Sequence, residues 1–378
     1  MHTKEISPWF ASSLAPGLGK LNHRILESVY SGKKKITFIL PKVSYEGVAK
    51  VGLLQANMLK TRWCHDVEVI SLIKEQQKFK ELLDNLRVRY AFSFEALSRI
   101  LYEVSVRFMK LESDLILGHN IPGAVVSYRM SAKNRKPCII YVHDAAFRRI
   151  PGSFPSFGHD KTKKALDNAV SIFTNSLKTL EELKREYKVD GVPLYPGCFP
   201  VGQINDKRSD FFLFVHFISP RGSFNFLAKL LEKKDFNLIV AGGRRWGWRK
   251  VLRYYRKFGD RVRFVFEPTE KDLCILYQQA KGLIFPEKEN FGLSPLEAAA
   301  CGCPSIVAEG SGVLEVLEKG KEIMAFEEGS TGEFCDAIET LKRDEQGARQ
   351  LGKRAWMKAK EHSWDAHVSK LAHNIEIC

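Results

Sequence analysis

Phe285-Pro-Glu-Lys-Glu-Asn-Phe-Gly-Leu-Ser-Pro-Leu-Glu-Ala-Ala-Ala-Cys-Gly-Cys-Pro304 is the stretch on which the reading of this chain turns. It continues from Gly282–Phe285, a short apolar run that reads as a buried strand. Ser294 stands where an N-cap belongs, Pro295 suits the first helical position, and Glu297 completes an S-x-x-E capping box. Ala298–Ala300 extend a helix, Gly302 suits the residue just past its end, and Pro304 stops it. The helix is therefore short, and its N-terminus points at the strand ends. Free N–H groups and a partial positive charge there suit a phosphate. Glu289 lies in the loop, and no cap needs it. A carboxylate beside a phosphate site orients sugar hydroxyls rather than the anion; the alternative is a solvated loop charge.

Outward from this segment, strands and helices alternate. Lys35–Leu40, Asp66–Leu72, Asp114–Gly118, Cys138–His143 and Val170–Asn175 read as strands, and Val48–Lys60 as an amphipathic helix. Glu75–Leu111 and Asp160–Asn168 are helical in pattern, as is Gly19–Tyr30. The alternation breaks at the Pro/Gly-rich run Val192–Pro200 and the polar Gly202–Ser209. It restarts with strands at Phe211–Phe217, Asn237–Ala241, Arg261–Phe266, Gly282–Phe285 and Ser305–Ala308, and Asp344–Ile377 reads as a long final helical stretch. This predicts two doubly wound, parallel-sheet α/β domains facing a central cleft. The expected division is 1–200, 201–360, and a helix at 361–378 that packs back on the first domain. Ligands of such sheets bind beyond the carboxyl ends of strands.

Glu289-x7-Glu297, written E-N-F-G-L-S-P-L-E and followed by A-A-A-C-G-C-P, resembles the E-x7-E signature of retaining glycosyltransferases with the GT-B fold, family 4 (glycosyl transferases group 1). Glu270–Ala280 resembles the helix before that motif, and Gly310–Glu315 the loop after it. The resemblance is good over roughly 211–365 and is one of pattern only in the first half. It implies two Rossmann-like domains, with a nucleotide diphosphate-sugar donor held by the second and an acceptor by the first. Glu289 would face the donor sugar, and Asn290 lies beside it in the motif. Phe291, Gly292 and Leu293 would offer backbone N–H groups, and Glu297 would bind ribose hydroxyls. The family's Gly-Arg pair is replaced here by His216-Phe217, which leaves Arg221 as the nearby cation for the diphosphate and Gly242-Gly-Arg-Arg245 as further positive charge. His143, at the end of Cys138–His143, resembles the histidine that touches the donor sugar from the acceptor side; a core or cap role is the alternative. His119 is a weaker candidate of the same kind. Gly47 stands where the family has a glycine-rich loop.

Composition bounds the remaining possibilities. The chain has 378 residues, 44% of them hydrophobic and 27% charged, enough for a packed core. No apolar run reaches the roughly 18–20 residues that cross a bilayer, and the first residues lack a signal-peptide apolar core. Eight scattered cysteines read as reduced thiols of a cytoplasmic protein. Net charge is +15, and residues 1–200 hold 31 Lys and Arg against 19 Asp and Glu. That half would favour an anionic partner, such as a membrane surface or phospholipid-linked glycan. Trp246–Lys257 interleaves aromatics with cations, a pattern that serves single-stranded nucleic acid or, more simply, a helix with a basic exposed face. Lys33–Lys35 and Arg148-Arg149 read as solvated or acceptor-side charges. No D-x-D motif and no G-x-G-x-x-G after Leu40 is present, which argues against metal-dependent transfer and oxidoreduction. The expected activity is metal-independent hexosyl transfer with retention, without a cofactor; altered or lost catalysis in a nucleotide-sugar-binding protein, or another GT-B activity, is the alternative.

Overall fold

Apolar runs without polar alternation belong to strands covered on both faces, and each such run forms a strand. In the computed structural model, residues 32–43, 47–73, 83–91, 109, 111–145, 158–205 and 207–377 are described. Gly197–Ser363 form one compact unit, and the described residues of Lys20–Pro196 with Trp364–Cys378 form the other.

The latter unit runs β1 (Lys35–Lys42), α1 (Gly47–Thr61), β2 (Asp66–Ile73), β3 (Arg87–Tyr90), β4 (Leu115–His119), α2 (Asn120–Asn134), β5 (Cys138–Val142), α3 (His159–Asp167), β6 (Ser171–Thr174), α4 (Leu177–Tyr187) and β7 (Val192–Pro193). Its strands lie in the order β3-β2-β1-β4-β5-β6-β7, parallel throughout. The Gly197–Ser363 unit runs β8 (Phe212–Val215), α5 (Gly222–Lys233), β9 (Leu238–Gly242), α6 (Trp248–Tyr255), β10 (Val262–Phe266), α7 (Glu270–Gln279), β11 (Gly282–Phe285), α8 (Leu293–Ala300), β12 (Ser305–Ala308), β13 (Met324–Phe326), α9 (Thr331–Arg343) and α10 (Glu345–Glu361). Its parallel sheet has the order β10-β9-β8-β11-β12-β13. Strand order reverses beside β1/β4 in one sheet and beside β8/β11 in the other. Loops leaving those neighbours run in opposite directions, which opens a crevice at the carboxyl ends.

Three readings are corrected. Arg87–Tyr90, inside a stretch read as helical, is a strand paired with β2; its Arg-Val-Arg-Tyr alternation has the two-residue period of an edge. The final helical stretch is interrupted at His362-Ser363, and α11 (Trp364–Ile377) belongs with the β1–β7 sheet. There Gln55 Nε2 meets His367 Nε2 at 2.8 Å and Lys34 Nζ donates to the Ile375 carbonyl at 2.7 Å. The capping box also fails to form, as described below. Gly19–Tyr30, Arg148-Arg149 and most of Glu75–Leu111 lie outside the described residues.

Glycines set the closeness of α2 to its sheet. A Cβ on Gly118 would stand 2.3 Å from Ser127 Oγ and 2.7 Å from the Gly123 carbonyl, and one on Gly123 would stand 2.8 Å from the Ile39 carbonyl. Gly118→Ala is expected to cost about 1–3 kcal/mol through this overpacking. Gly222→Ala, whose new Cβ meets nothing within 4 Å, should stay within about 0.5 kcal/mol. Urea melts of both variants check the pair.

Candidate functional site

The β8/β11 crevice gathers charge. His216 follows β8, and its ring stacks on Phe214 with centroids 5.7 Å apart. Its Nε2 lies 3.3 Å from Glu287 Oε2 and 3.7 Å from Glu289 Oε1, both on the loop after β11. Glu287 in turn accepts the Ser223 backbone N–H at the start of α5, at 3.3 Å. A carboxylate there complements the helix dipole. Burial pulls the His216 imidazole down, but the Glu289 hydrogen bond and the charges of Glu289 and Glu287 outweigh it, so its pKa stands above the ordinary 6.5. Ligand atoms of the three residues lie within 4.8 Å of one another; a divalent ion there would take the imidazole in its neutral form.

Glu289 is held from behind. Its carbonyl accepts the Gly312 N–H at 3.1 Å, and the Phe291 carbonyl accepts the Val313 N–H at 2.6 Å. Phe291 is buried and anchors the loop in the core. Gly292, at φ +95°, caps α8 with no side-chain hydrogen bond. The helix thus begins at Leu293, one residue before Ser294. Ser294 is inside its first turn rather than at its cap, and the expected capping box is absent. Glu297 Oε2 instead accepts the Tyr277 hydroxyl at 3.1 Å, and Ser294 hydrogen-bonds the same buried tyrosine. The α8 N-terminus keeps its dipole with no capping side chain in the way. Gly302 takes the left-handed conformation expected just past the helix, at φ +69°.

Arg221 stands exposed at the residue before α5, with no ion pair among the described residues. Phe217, where the resembling family has arginine, carries the Arg245 guanidinium on its ring, 3.8 Å from the centroid. This cation comes from the loop after β9. Gly242 permits this approach, because a Cβ there would stand 2.0 Å from the His216 carbonyl oxygen. Ser219 and Ser223, in the same loop and helix start, have buried hydroxyls with no hydrogen-bond partner among the described residues. Glu287, Ser219 and Ser223 carry no motif in the sequence and become visible only when β8 and β11 pair.

In the other unit, the structure brings His143 and His119 together. His119 ends β4, His143 follows β5, and His119 Nδ1 lies 3.0 Å from His143 Nε2. Asn175 Nδ2 donates to the His143 carbonyl at 3.2 Å. His367, from α11, donates its Nδ1–H to the Tyr195 carbonyl at 2.7 Å. Burial, with the charge of His367 second, lowers His143 to about 3, and burial lowers His367 to about 4. Burial also holds His119 well below 6.5. All three imidazoles are neutral at pH 7, so His143 is a hydrogen-bonding group and not a cation. Gly47 is the exposed first residue of α1, after residues 44–46 outside the description. Lys34 and Lys35 serve structural contacts, Lys35 Nζ lying 3.4 Å from Glu112 Oε2.

Two parallel, doubly wound sheets with this pair of strand orders are the fold of the GT-B glycosyltransferases. In three dimensions the chain is similar to Anabaena HepE in complex with UDP-glucose, with TM-score 0.73 and 18% identity, covering 91% of this chain and 100% of that one. Residues 202–356, which contain the whole β8/β11 site, match the family described as glycosyl transferases group 1. The chain is 20% identical over 337 residues to the uncharacterized glycosyltransferase MJ1178 of Methanocaldococcus jannaschii, covering 87% of this chain and 95% of that protein. Over 129 residues it is 41% identical to the N-acetyl-alpha-D-glucosaminyl L-malate synthase of Bacillus anthracis, 34% of each chain.

The two sets of histidines give opposite pH dependences. His216, raised on folding, stabilises fully below 6.5 and loses that contribution as pH rises past 6.5 through its elevated value. The His119, His143 and His367 group, lowered on folding, stabilises above 6.5 and loses its contribution as pH falls through about 4 and about 3. Thermal melts of the wild type and His216→Phe from about pH 4 to 9 check both. The variant should lack only the decline on the alkaline side.

Proposed function

We propose that this protein is a retaining glycosyltransferase that moves a hexosyl group from a nucleoside diphosphate donor to an acceptor hydroxyl. The observation that carries the reading is Glu289, fixed at the carboxyl end of β11 beside the α8 N-terminus. Its carboxylate orients donor sugar hydroxyls, with Asn290 beside it. The N–H groups of the Phe291-Gly292-Leu293 turn face the sugar and diphosphate, and Glu297, held by Tyr277, takes the ribose hydroxyls. Charge that develops on the departing diphosphate is met by Arg221, by Arg245 on the Phe217 ring and by the α8 dipole. The unpartnered hydroxyls of Ser219 and Ser223 support a phosphate-bearing ligand in the same loop.

The bond from anomeric carbon to phosphate oxygen breaks, and the acceptor oxygen bonds to that carbon on the same face. The acceptor proton passes to the departing phosphate oxygen, which acts as the base. Positioning and diphosphate stabilisation then account for the rate, and no metal or cofactor is assigned a role. Neutral His143 donates or accepts a hydrogen bond from the acceptor-side unit, with Gly47 leaving room near its first strand. The acceptor we infer is a lipid-linked or otherwise anionic glycan in the cytoplasm. The net charge of +15 and the unbonded state of the seven described cysteines support this. Among the described residues no helix is long and apolar enough to cross a membrane.

A second reading is a nucleotide-sugar-binding protein without turnover. It is favoured by His216, which already engages Glu289 where the related family has glycine. Nucleotide release from a panel of nucleoside diphosphate sugars separates the two. Saturable release should fall about a hundredfold in Glu289→Ala, and full activity of that variant would refute its role. Thermal stabilisation by a donor without release supports the binder. Ser223→Ala should leave the melting point unchanged, since no hydrogen bond is lost. It should nevertheless weaken nucleoside diphosphate binding about fivefold to tenfold, measured by titration calorimetry.

A further inference from the structure

Residues 244–263 hold nine Lys and Arg against one acid, Asp260, whereas the rest of 201–378 holds 19 against 24. The positive charge of this half is therefore gathered in one 20-residue stretch. The helical period sorts it. Val251 and Tyr255 are buried and turn α6 inward, with Trp248 and Leu252 half-buried beside them. The outward side carries Arg249, Arg253 and Arg256 in one row and Lys250, Tyr254 and Lys257 in the next, all exposed. Trp246, in the turn before α6, is 85% exposed, and Tyr254 is 48% exposed. Lys250 Nζ lies 5.6 Å from the Trp246 ring centroid, and Lys257 Nζ lies 4.2 Å from that of Tyr254. Lys257 is paired with Glu232; Arg253 and Arg256 have no acidic partner among the described residues.

We propose that the outward face of α6 and the Trp246 turn dock on an anionic lipid membrane. Arg and Lys rows place several cations at one level, where each gains roughly 1 kcal/mol from an anionic surface. An exposed Trp flanked by cations is suited to the headgroup region, with its amphipathic ring at the boundary. Single-stranded nucleic acid is served less well. The helix is a convex surface without a groove to track a backbone, and the Trp246 and Tyr254 rings each already carry a cation on one face. Docking of this kind stands on its own residues and does not require the donor site.

The test is co-sedimentation of the full chain with vesicles of phosphatidylcholine alone or with about one third phosphatidylglycerol. Binding is expected only to the anionic vesicles and should vanish near 1 M NaCl, where the Debye length is about 3 Å. Arg249→Glu with Arg253→Glu should weaken partitioning at least about 30-fold, and Trp246→Ala about fivefold. Both should leave the thermal melt and nucleoside diphosphate binding as in the wild type. Glu289→Ala should bind vesicles normally, which separates failure of the donor site from failure of the surface. Undiminished pelleting of the double variant, or no pelleting of the wild type, overturns the proposal. So does a labelled single-stranded oligonucleotide that binds this face more tightly at the same salt and displaces the vesicles.

Discussion

Two carboxylates leave the end of one strand, and a single imidazole keeps them there. Glu287 and Glu289 would repel each other across the crevice at the head of β11, and His216 faces both with one nitrogen. The Ser223 N–H holds Glu287 from the far side. Much else in the second sheet follows from this contact. It joins the loops after β8 and β11, presents Glu289 half-exposed, with 40% of its side chain in solvent, and leaves the α8 N-terminus open. A donor entering here would meet a carboxylate already fixed in place, which lowers the ordering cost of binding. It would also have to share that carboxylate with His216.

The same residue type behaves oppositely in the two sheets, and environment alone makes the difference. His216 is buried among acids, so charge is favoured despite desolvation. His119 and His143 are buried against each other and against the Tyr141 ring, with centroids 5.4 and 4.6 Å from it. Among the described residues no carboxylate compensates the desolvation there, so both stay neutral. One sheet thus offers a histidine whose proton is held more tightly than usual at its switch point, and the other offers neutral hydrogen-bonding ones.

An aromatic side chain brings a cation to a place without carrying charge itself. Phe217 cannot neutralise phosphate, but its ring holds Arg245, whose charge is delocalised and stacks well on an aromatic face. The adjoining loop and α6 then continue as a basic surface. Its aromatics are half core and half exterior, because Trp248 and Tyr255 turn inward while Trp246 and Tyr254 do not.

What the sequence determined by itself was the fold class and most of the buried strands, together with a set of candidate residues to look for at their ends. Apolar runs bounded by turn residues encode doubly covered strands, so Gly282–Phe285 and Ser305–Ala308 were legible to the residue. Arg87–Tyr90 was not, since its two arginines and half-exposed faces break the apolar run. Glu289, Glu297 and Arg221 could be singled out because their motif is local. Tertiary structure alone decided who meets whom. Pairing of β8 with β11 set His216 against Glu287 and Glu289, both more than 70 residues away in the chain. Packing of α7 against α8 gave Glu297 and Ser294 to Tyr277 instead of a capping box, and in the other unit packing of α11 on α1 brought His367 from the far end of the chain to Gln55. Local sequence sets backbone preference within a few residues; a side chain's hydrogen-bond partner is chosen by whatever packing delivers to it, which no neighbouring residue encodes.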